Sequence, residues 1–260
     1  MKSVIVTGAT GYFGKYIVNE LVKDYQVIGT SRSLSKLDAA FAKTPNIVKA
    51  ELDMGNLNAC EEVLTKLCAE HEVVGLINNA YDFSKESGFN TQEGRLENFN
   101  VEQLRSAFDV GLLAPVLFTK IVGKQMIEKK LKGSIVNISS MYGLVAPDAR
   151  LYDEKSTLNP VSYGVMKAGL NGLTRYTASF WGRHGIRCNS IAPGAFPNTE
   201  TATFNANKDD EFLERLANKT CLGRWGHPKD LLGLIKLLLS DEGSYITGQT
   251  ISVDGGWTAI

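Results

Sequence analysis

Residues 3–14, SVIVTGATGYFG, run a short β-branched stretch straight into Gly8, Gly11 and Gly14, and the helical pattern YFGKYIVNELV follows. Glycines at these positions permit a tight turn. They also let the backbone approach a pyrophosphate at a helix N-terminus, where unpaired N–H groups and the helix dipole favour anions. A glycine triplet alone is a weak signal; between a first strand and a first helix it predicts a dinucleotide site. The contact set read from this turn is Thr7, Gly8, Thr10, Gly11, Tyr12, Phe13 and Gly14.

The same alternation continues outward. Strand-like runs are expected at Ser3–Thr7, Gln26–Thr30, Asn46–Leu52, Val73–Asn78, Ser134–Ser139, Ile186–Ile191 and Thr250–Val253, with helical windows near 12–23, 56–70, 101–130, 161–182 and 228–240. Several strands are almost continuously apolar (SVIVT, VVGLIN, GSIVNIS), which suits strands covered on both faces. The expectation is one α/β domain over residues 1–260: a Rossmann-like, doubly wound parallel sheet of about seven strands with helices on both faces. Tyr81–Asn100, Ala146–Pro160 and Pro193–Thr220 resist assignment. Each follows a strand, at or close to the carboxyl end where ligands bind in such sheets, so the three are expected to wall one cleft.

Composition narrows the function. The 260 residues are 43% hydrophobic and 22% charged, with 28 Lys+Arg against 28 Asp+Glu, which describes a soluble globular protein. No basic stripe points to nucleic acid. The beginning, MKSVIVTGAT, is too short an apolar run for a signal peptide, and LLGLIKLLLS at 231–240 carries Lys236, so it reads as a core helix and no membrane partner is expected. Cys60, Cys68, Cys188 and Cys221 lack metal or disulfide spacing and read as free thiols of a reducing, cytoplasmic compartment. No His, Cys or carboxylate cluster has ligand spacing, so no metal is expected.

Two further patterns carry chemistry. In SYGVMKAG, Tyr163 and Lys167 stand at i and i+4, one turn apart on one helix face. A phenol has a reference pKa near ~10, and a neighbouring ammonium favours the phenolate, so the tyrosine can move the proton that accompanies hydride transfer at a carbonyl carbon. The second strand ends in VIGTSRSLSK, which has no Asp or Glu for an adenosine ribose and places Ser31 and Arg32 there instead. A guanidinium can pair a 2′-phosphate that a carboxylate would repel, so NADP(H) is expected over NAD(H).

With the glycine turn, NNA at 78–80, NISS at 137–140, Y-x-x-x-K, NSIAPG at 189–194 and SYITGQTISVDGG at 244–256 in this order, the chain resembles the short-chain dehydrogenase/reductase family along essentially its whole length. The resemblance implies that Ser140 bonds the substrate oxygen, Tyr163 gives or takes the proton, and Lys167 holds the nicotinamide ribose and lowers the tyrosine pKa. It implies an adenine contact at Asp53 with Met54 beside it, ribose contacts at Asn79 and Ala80 with Tyr81 close to the cofactor, and nicotinamide contacts at Pro193, Gly194 and Phe196. It also implies a homodimer or homotetramer acting on a small-molecule substrate.

Several positions depart from the family pattern. TGATGYFG has Gly11 one place early and Tyr12 where glycine is usual, a spacing commoner in the sugar-nucleotide-modifying branch. NNAY replaces NNAG. In FDVGLLAP (108–115), Gly111 stands where the family has an asparagine that anchors a water in a proton relay. In PGAFPNT, Asn198 takes the place of a threonine, with Thr199 one residue later. The gap from Ser140 to Tyr163 is long, and Tyr152 stands nearer the usual distance, but Tyr163 opens a helical run with Lys167 behind it and is preferred. The inserted segment offers Tyr142, Asp148, Arg150, Tyr152, Asp153 and Glu154, of which Tyr142 and Tyr152 are the candidate substrate contacts. Its MYGLVAPD…LY pattern is similar to reductases of bacterial surface-sugar and flagellin-glycan modification. The leading expectation is therefore a carbonyl reductase or secondary-alcohol dehydrogenase for a sugar-like substrate. The alternatives are a sugar-nucleotide epimerase or dehydratase and a cofactor-binding protein without turnover. Trp225 and His227 in GRWGHP read as a packing residue and a helix-start residue.

Overall fold

The computed structural model describes residues 1–151, 159–200 and 206–260. Seven strands, β1 (Ser3–Val6), β2 (Gln26–Ser31), β3 (Ile47–Glu51), β4 (Val73–Asn78), β5 (Gly133–Ile138), β6 (Ile186–Pro193) and β7 (Thr250–Val253), form one sheet in the order β3-β2-β1-β4-β5-β6-β7. Every neighbouring pair is parallel. The expected Rossmann-like sheet is present, and each apolar run of the sequence became its strand. Chain order reverses between β1 and β4, which sets the crevice at the carboxyl ends of those two strands.

The helices are α1 (Tyr12–Leu21), α2 (Leu34–Ala40), α3 (Leu57–Glu70), α4 (Val101–Phe108), α5 (Ala114–Glu128), α6 (Val161–Trp181), α7 (Ala206–Asn218) and α8 (Lys229–Leu239). Successive strand residues face opposite sides. Val4, Val6, Val27 and Val136 meet Ile17, Leu21, Leu37, Leu231 and Leu238 from α1, α2 and α8. Ile5, Ile28 and Ile135 meet Leu64, Phe118, Val122 and Met126 from α3 and α5, with Trp181 of α6 packed at the edge. A smaller cluster of Met141, Tyr142, Leu151, Leu213, Leu216 and Trp257 sits beyond the carboxyl ends of the strands, with Tyr163 and Trp225 against it.

Helix starts follow their capping residues. Ser33, Asn56 and Asn100 accept backbone N–H bonds at the first turns of α2, α3 and α4. Two helices were not expected from the sequence. α2 spans seven residues and buries only Leu37, too little periodicity to register. α7 is largely polar and lies in the segment left as mixed. Val101–Glu128 runs as one helical stretch through a π turn at Asp109–Leu113, and its apolar window is long enough to cross a membrane by length and composition, with half of it buried in the fold. The four cysteines are free; Cys60, Cys68 and Cys188 are buried and Cys221 is exposed.

Beneath the cleft a buried polar ladder ties three strands to α6. Asn78 Nδ2 donates to Asn137 Oδ1 at 2.8 Å, Asn137 Nδ2 donates to Thr174 Oγ1 at 2.8 Å, and Thr174 Oγ1 meets Ser190 Oγ at 2.6 Å. A ladder of this kind fixes the height at which α6 crosses the sheet, and so the height of Tyr163 and Lys167.

Candidate active site

The glycine turn has the shape that its composition implies. Gly8 has φ +65°, and a Cβ there would stand 2.8 Å from Ala80 Cα; a Cβ on Gly14 would collide with the Gly8 carbonyl oxygen. Thr7 Oγ1 accepts from the Asn79 and Ala80 amides at 3.0 Å each, while Asn79 Nδ2 donates to the Thr7 carbonyl at 2.8 Å. Thus Asn79 and Ala80 lock β4 to the turn after β1. No side chain caps α1, and its first turn carries no acid. Its leading N–H groups and positive dipole end are left for an anion, so the cradle fits a dinucleotide pyrophosphate. Tyr12 and Phe13 open the helix, and the Phe13 ring meets Phe196 edge-on at 5.3 Å.

At the end of β2, Thr10 Oγ1 and Ser31 Oγ are 3.1 Å apart and Arg32 is exposed. Arg32 adds to the lowering of the Glu86 carboxyl pKa, after the Ser84 hydroxyl and the Glu86 amide. Asp53 is exposed past β3 with Oδ1 accepting from the Gly55 amide at 3.1 Å, while Met54 is buried.

Ser140, Tyr163 and Lys167 come from two elements that pack directly on each other. Ser140 ends the extension of β5 and accepts from the Tyr142 amide at 3.1 Å. The Met141–Gly143 turn then lies on α6: a Cβ on Gly143 would be 2.8 Å from the Lys167 carbonyl carbon, and one on Gly164 would be 3.1 Å from the Tyr142 carbonyl oxygen. Ser139 Oγ donates to the Lys167 carbonyl at 3.0 Å, closing the junction. Lys167 is 4% exposed, Nζ donates to the Ile138 carbonyl at 2.7 Å, and Nζ stands 5.5 Å from the Tyr163 ring centroid. Burial lowers its pKa to about 7. An ammonium in such a place has little water to screen it from the phenol beside it.

The sequence missed Phe83 and Phe89. With Tyr81 they form an aromatic wall against Tyr163, at ring separations of 5.2 Å for Tyr81, 6.0 Å for Phe83 and 5.4 Å for Phe89. Their only signal was aromatic content within the otherwise polar Tyr81–Asn100 stretch, and no spacing rule turns that into a wall.

Beyond β6, Pro193 is buried, and Gly194 lies so close to Asp254 that a Cβ would be 2.6 Å from its Cα. The segment then folds back over α1, where Tyr16 Oη donates to Glu200 Oε1 at 2.5 Å and lies 3.3 Å from His227 Nε2. His227 Nδ1 accepts from the Lys229 amide at the start of α8. Burial raises the Tyr12 pKa, and the Glu200 carboxylate adds to it. In the inserted segment Tyr142 is 7% exposed within the small cluster, and Asp148 is bound by Arg150 at 2.8–2.9 Å and by Lys219 at 2.7 Å. Tyr152, with Asp153 and Glu154, lies outside the described residues. Among the described residues no group of three or more His, Cys, Asp or Glu could hold a metal.

A family model described as enoyl-(acyl carrier protein) reductase matches residues 21–258. The chain belongs to the short-chain dehydrogenase/reductase family. Among its relatives, a 7alpha-hydroxysteroid dehydrogenase of Bacteroides fragilis is 30% identical over 99% of this chain and 94% of its own. A 2-dehydro-3-deoxy-D-gluconate 5-dehydrogenase of Escherichia coli is 28% identical over 99% and 96%. A short-chain dehydrogenase from Leptospira borgpetersenii, solved with bound NAD+, superposes with a TM-score of 0.83 at 28% identity, covering 99% of this chain and 92% of that one. As a short-chain dehydrogenase/reductase the protein is an oxidoreductase that transfers a hydride between a nicotinamide dinucleotide and a carbonyl or secondary alcohol.

Proposed function

We propose that this oxidoreductase uses NADP(H) on a small sugar-like carbonyl or secondary alcohol, with Tyr163, Lys167 and Ser140 carrying the chemistry. The observation behind this reading is the placement of Lys167, buried at 4% exposure one turn after Tyr163 with Nζ 5.5 Å from the phenol ring. When bound, the dinucleotide supplies or accepts the hydride at the carbonyl carbon. In reduction Tyr163 Oη delivers its proton to the carbonyl oxygen and is left as the phenolate, which regains a proton from solvent before the next turnover; oxidation runs the same transfers in reverse. Lys167 stabilises the phenolate formed in that exchange, and Ser140 Oγ donates to the same substrate oxygen. Tyr163→Phe should lower kcat by about 10²–10⁴-fold while NADPH binding, read by fluorescence, stays within about twofold. If Tyr152→Phe does this instead, Tyr163 is not the acid.

The preference for NADP(H) is supported by Ser31 and Arg32 at the end of β2 and by the lack of a carboxylate there. The Leptospira relative holds NAD+, so the comparison between the two cofactors is the test. Arg32→Ala should weaken NADPH about ten- to hundredfold, the worth of charge-assisted bonds to a phosphate, with NADH changed little. Tighter NADH than NADPH in the wild type would overturn the assignment. The sugar-like substrate is supported by the relative named for a deoxygluconate and by the inserted segment's resemblance to glycan-modifying reductases. The reading also places the protein in the cytoplasm, in one domain, as a homodimer or homotetramer.

A further inference from the structure

Two departures that stand thirty residues apart in the sequence meet in space. Gly111 lies in the π turn between α4 and α5, and a Cβ there would stand 2.6 Å from Met166 Sδ and 2.8 Å from Tyr81 Cε2. Met166 has a flexible end that can yield; the Tyr81 ring cannot. It is held edge-on by Phe83 at 5.0 Å, Phe89 at 5.8 Å and Tyr163 at 5.2 Å. Any side chain at position 111 would claim space that this ring fills.

The Tyr81 ring also borders Lys167, whose Nζ is 5.2 Å from its centroid. The groups facing that ammonium can be named element by element. Tyr163 faces it from α6, the Ile138 carbonyl from β5, Tyr81 from the segment after β4, and the π turn brings Gly111 close while its own Asp109 is exposed. Among the described residues burial is the cause acting on the Lys167 pKa, and no carboxylate of theirs offsets it. The Tyr81 hydroxyl is buried beside that of Ser162. Three edge-on rings hold Tyr81 in place.

We propose that Tyr81 is a positioning residue for the Tyr163–Lys167 pair: its ring stands between the buried ammonium and bulk water, and glycine at position 111 is what admits the ring. The proposal rests on the assignment of Tyr163 and Lys167 as the proton-transfer pair. Removing the ring has two opposed effects on Lys167. Loss of the cation–π attraction disfavours the charged form by about one pH unit at most. Entry of water favours it, against a burial effect that has brought the lysine from 10.5 to about 7. Hydration is the larger effect.

The test follows the Lys167 titration by NMR in cofactor-free protein labelled at lysine Nζ, with the signal assigned by Lys167→Arg. The wild-type midpoint should lie far below the other lysines. Tyr81→Ala should raise it by about one unit or more, and Tyr81→Phe should leave it where it was. Gly111→Ala should raise it by displacing the ring, and should add nothing in a Tyr81→Ala background. An unmoved midpoint in Tyr81→Ala overturns the proposal, as does a Gly111→Ala effect of equal size in both backgrounds. If Tyr81→Ala does not fold, Tyr81→Leu carries the same expectation, and a Tyr81→Phe midpoint raised like it would overturn the role given to the ring. No cofactor, substrate or turnover enters, so failure here is separable from failure of the proposed reaction.

Discussion

Lys167 is almost wholly enclosed, with its Nζ donating to the Ile138 carbonyl at 2.7 Å and standing 5.2 and 5.5 Å from the centroids of the Tyr81 and Tyr163 rings. The Y-x-x-x-K spacing was legible as one helix face, because the period of a helix is fixed. What the spacing could not show is that the ammonium would be buried, donating to a strand carbonyl on β5 that is distant in sequence. Nor could it show that Tyr81 and Gly111, each visible as a departure, belong to one packing solution; that needs the π turn to bring position 111 against the ring. Burial has a thermodynamic signature. The folded lysine has a pKa of about 7, against a reference near ~10.4 for the unfolded chain. Between those values the unfolded state binds more protons, so stability rises with pH across that window, by up to ~1.4 kcal/mol per unit, and is flat in this respect below and above it. Chemical denaturation of cofactor-free wild type and Lys167→Met at several pH values should show this slope in the wild type only. Equal slopes would mean that Lys167 keeps its charge in the folded protein.

Elements differ in how openly the sequence announces them. All seven strands could be read because buried parallel strands are runs of β-branched and apolar residues with turn signals at their ends. α2 and α7 could not, since one is short and the other carries few apolar positions. The site's height depends on a feature with no local signature, the Asn78–Asn137–Thr174 ladder, whose members are separated by 59 and 37 residues. Asn137→Ala would remove two buried hydrogen bonds of 2.8 Å, leaving Asn78 Nδ2 only its longer bond to Thr119 Oγ1 at 3.3 Å and Thr174 Oγ1 its bonds to the Leu170 carbonyl and Ser190. A buried hydrogen bond contributes about 0.5–1.5 kcal/mol net, so losing two should cost the variant roughly 1–3 kcal/mol in urea denaturation. It should also lose more kcat than affinity for the nicotinamide dinucleotide, because α6 shifts while the glycine turn on α1 does not. A loss below about 0.5 kcal/mol would show that water replaces the ladder at little cost.

At the scale of the whole molecule, the strongest remaining signal is apolar surface without a cover. Val165, Tyr176 and Phe180 of α6 are 53%, 60% and 55% exposed, and the last two rings stack at 4.4 Å. Leu113 and Val116, at the π turn and the start of α5, are 47% and 38% exposed. Isolated exposed apolar residues are ordinary, but a stacked aromatic pair along one helix face makes a larger apolar patch than they do. In the proposed homodimer or homotetramer a second copy would cover that surface, and the contact to be tested is a twofold one with α6 against α6. A lasting contact of this sort buries about 1,600 Å² in total, which needs both helices and not the ring pair alone. Two charges at its centre, Tyr176→Glu with Phe180→Glu, should therefore release monomers in sedimentation velocity while the sheet and its α1 glycine turn stay folded. Because Tyr163 lies on the same helix, a released monomer should still bind the nicotinamide dinucleotide but turn over more slowly, if a second copy steadies α6. A wild type that sediments as a monomer at micromolar concentration would refute the assembly. A charged variant that still assembles would move the contact to another face and leave the α6 rings unexplained.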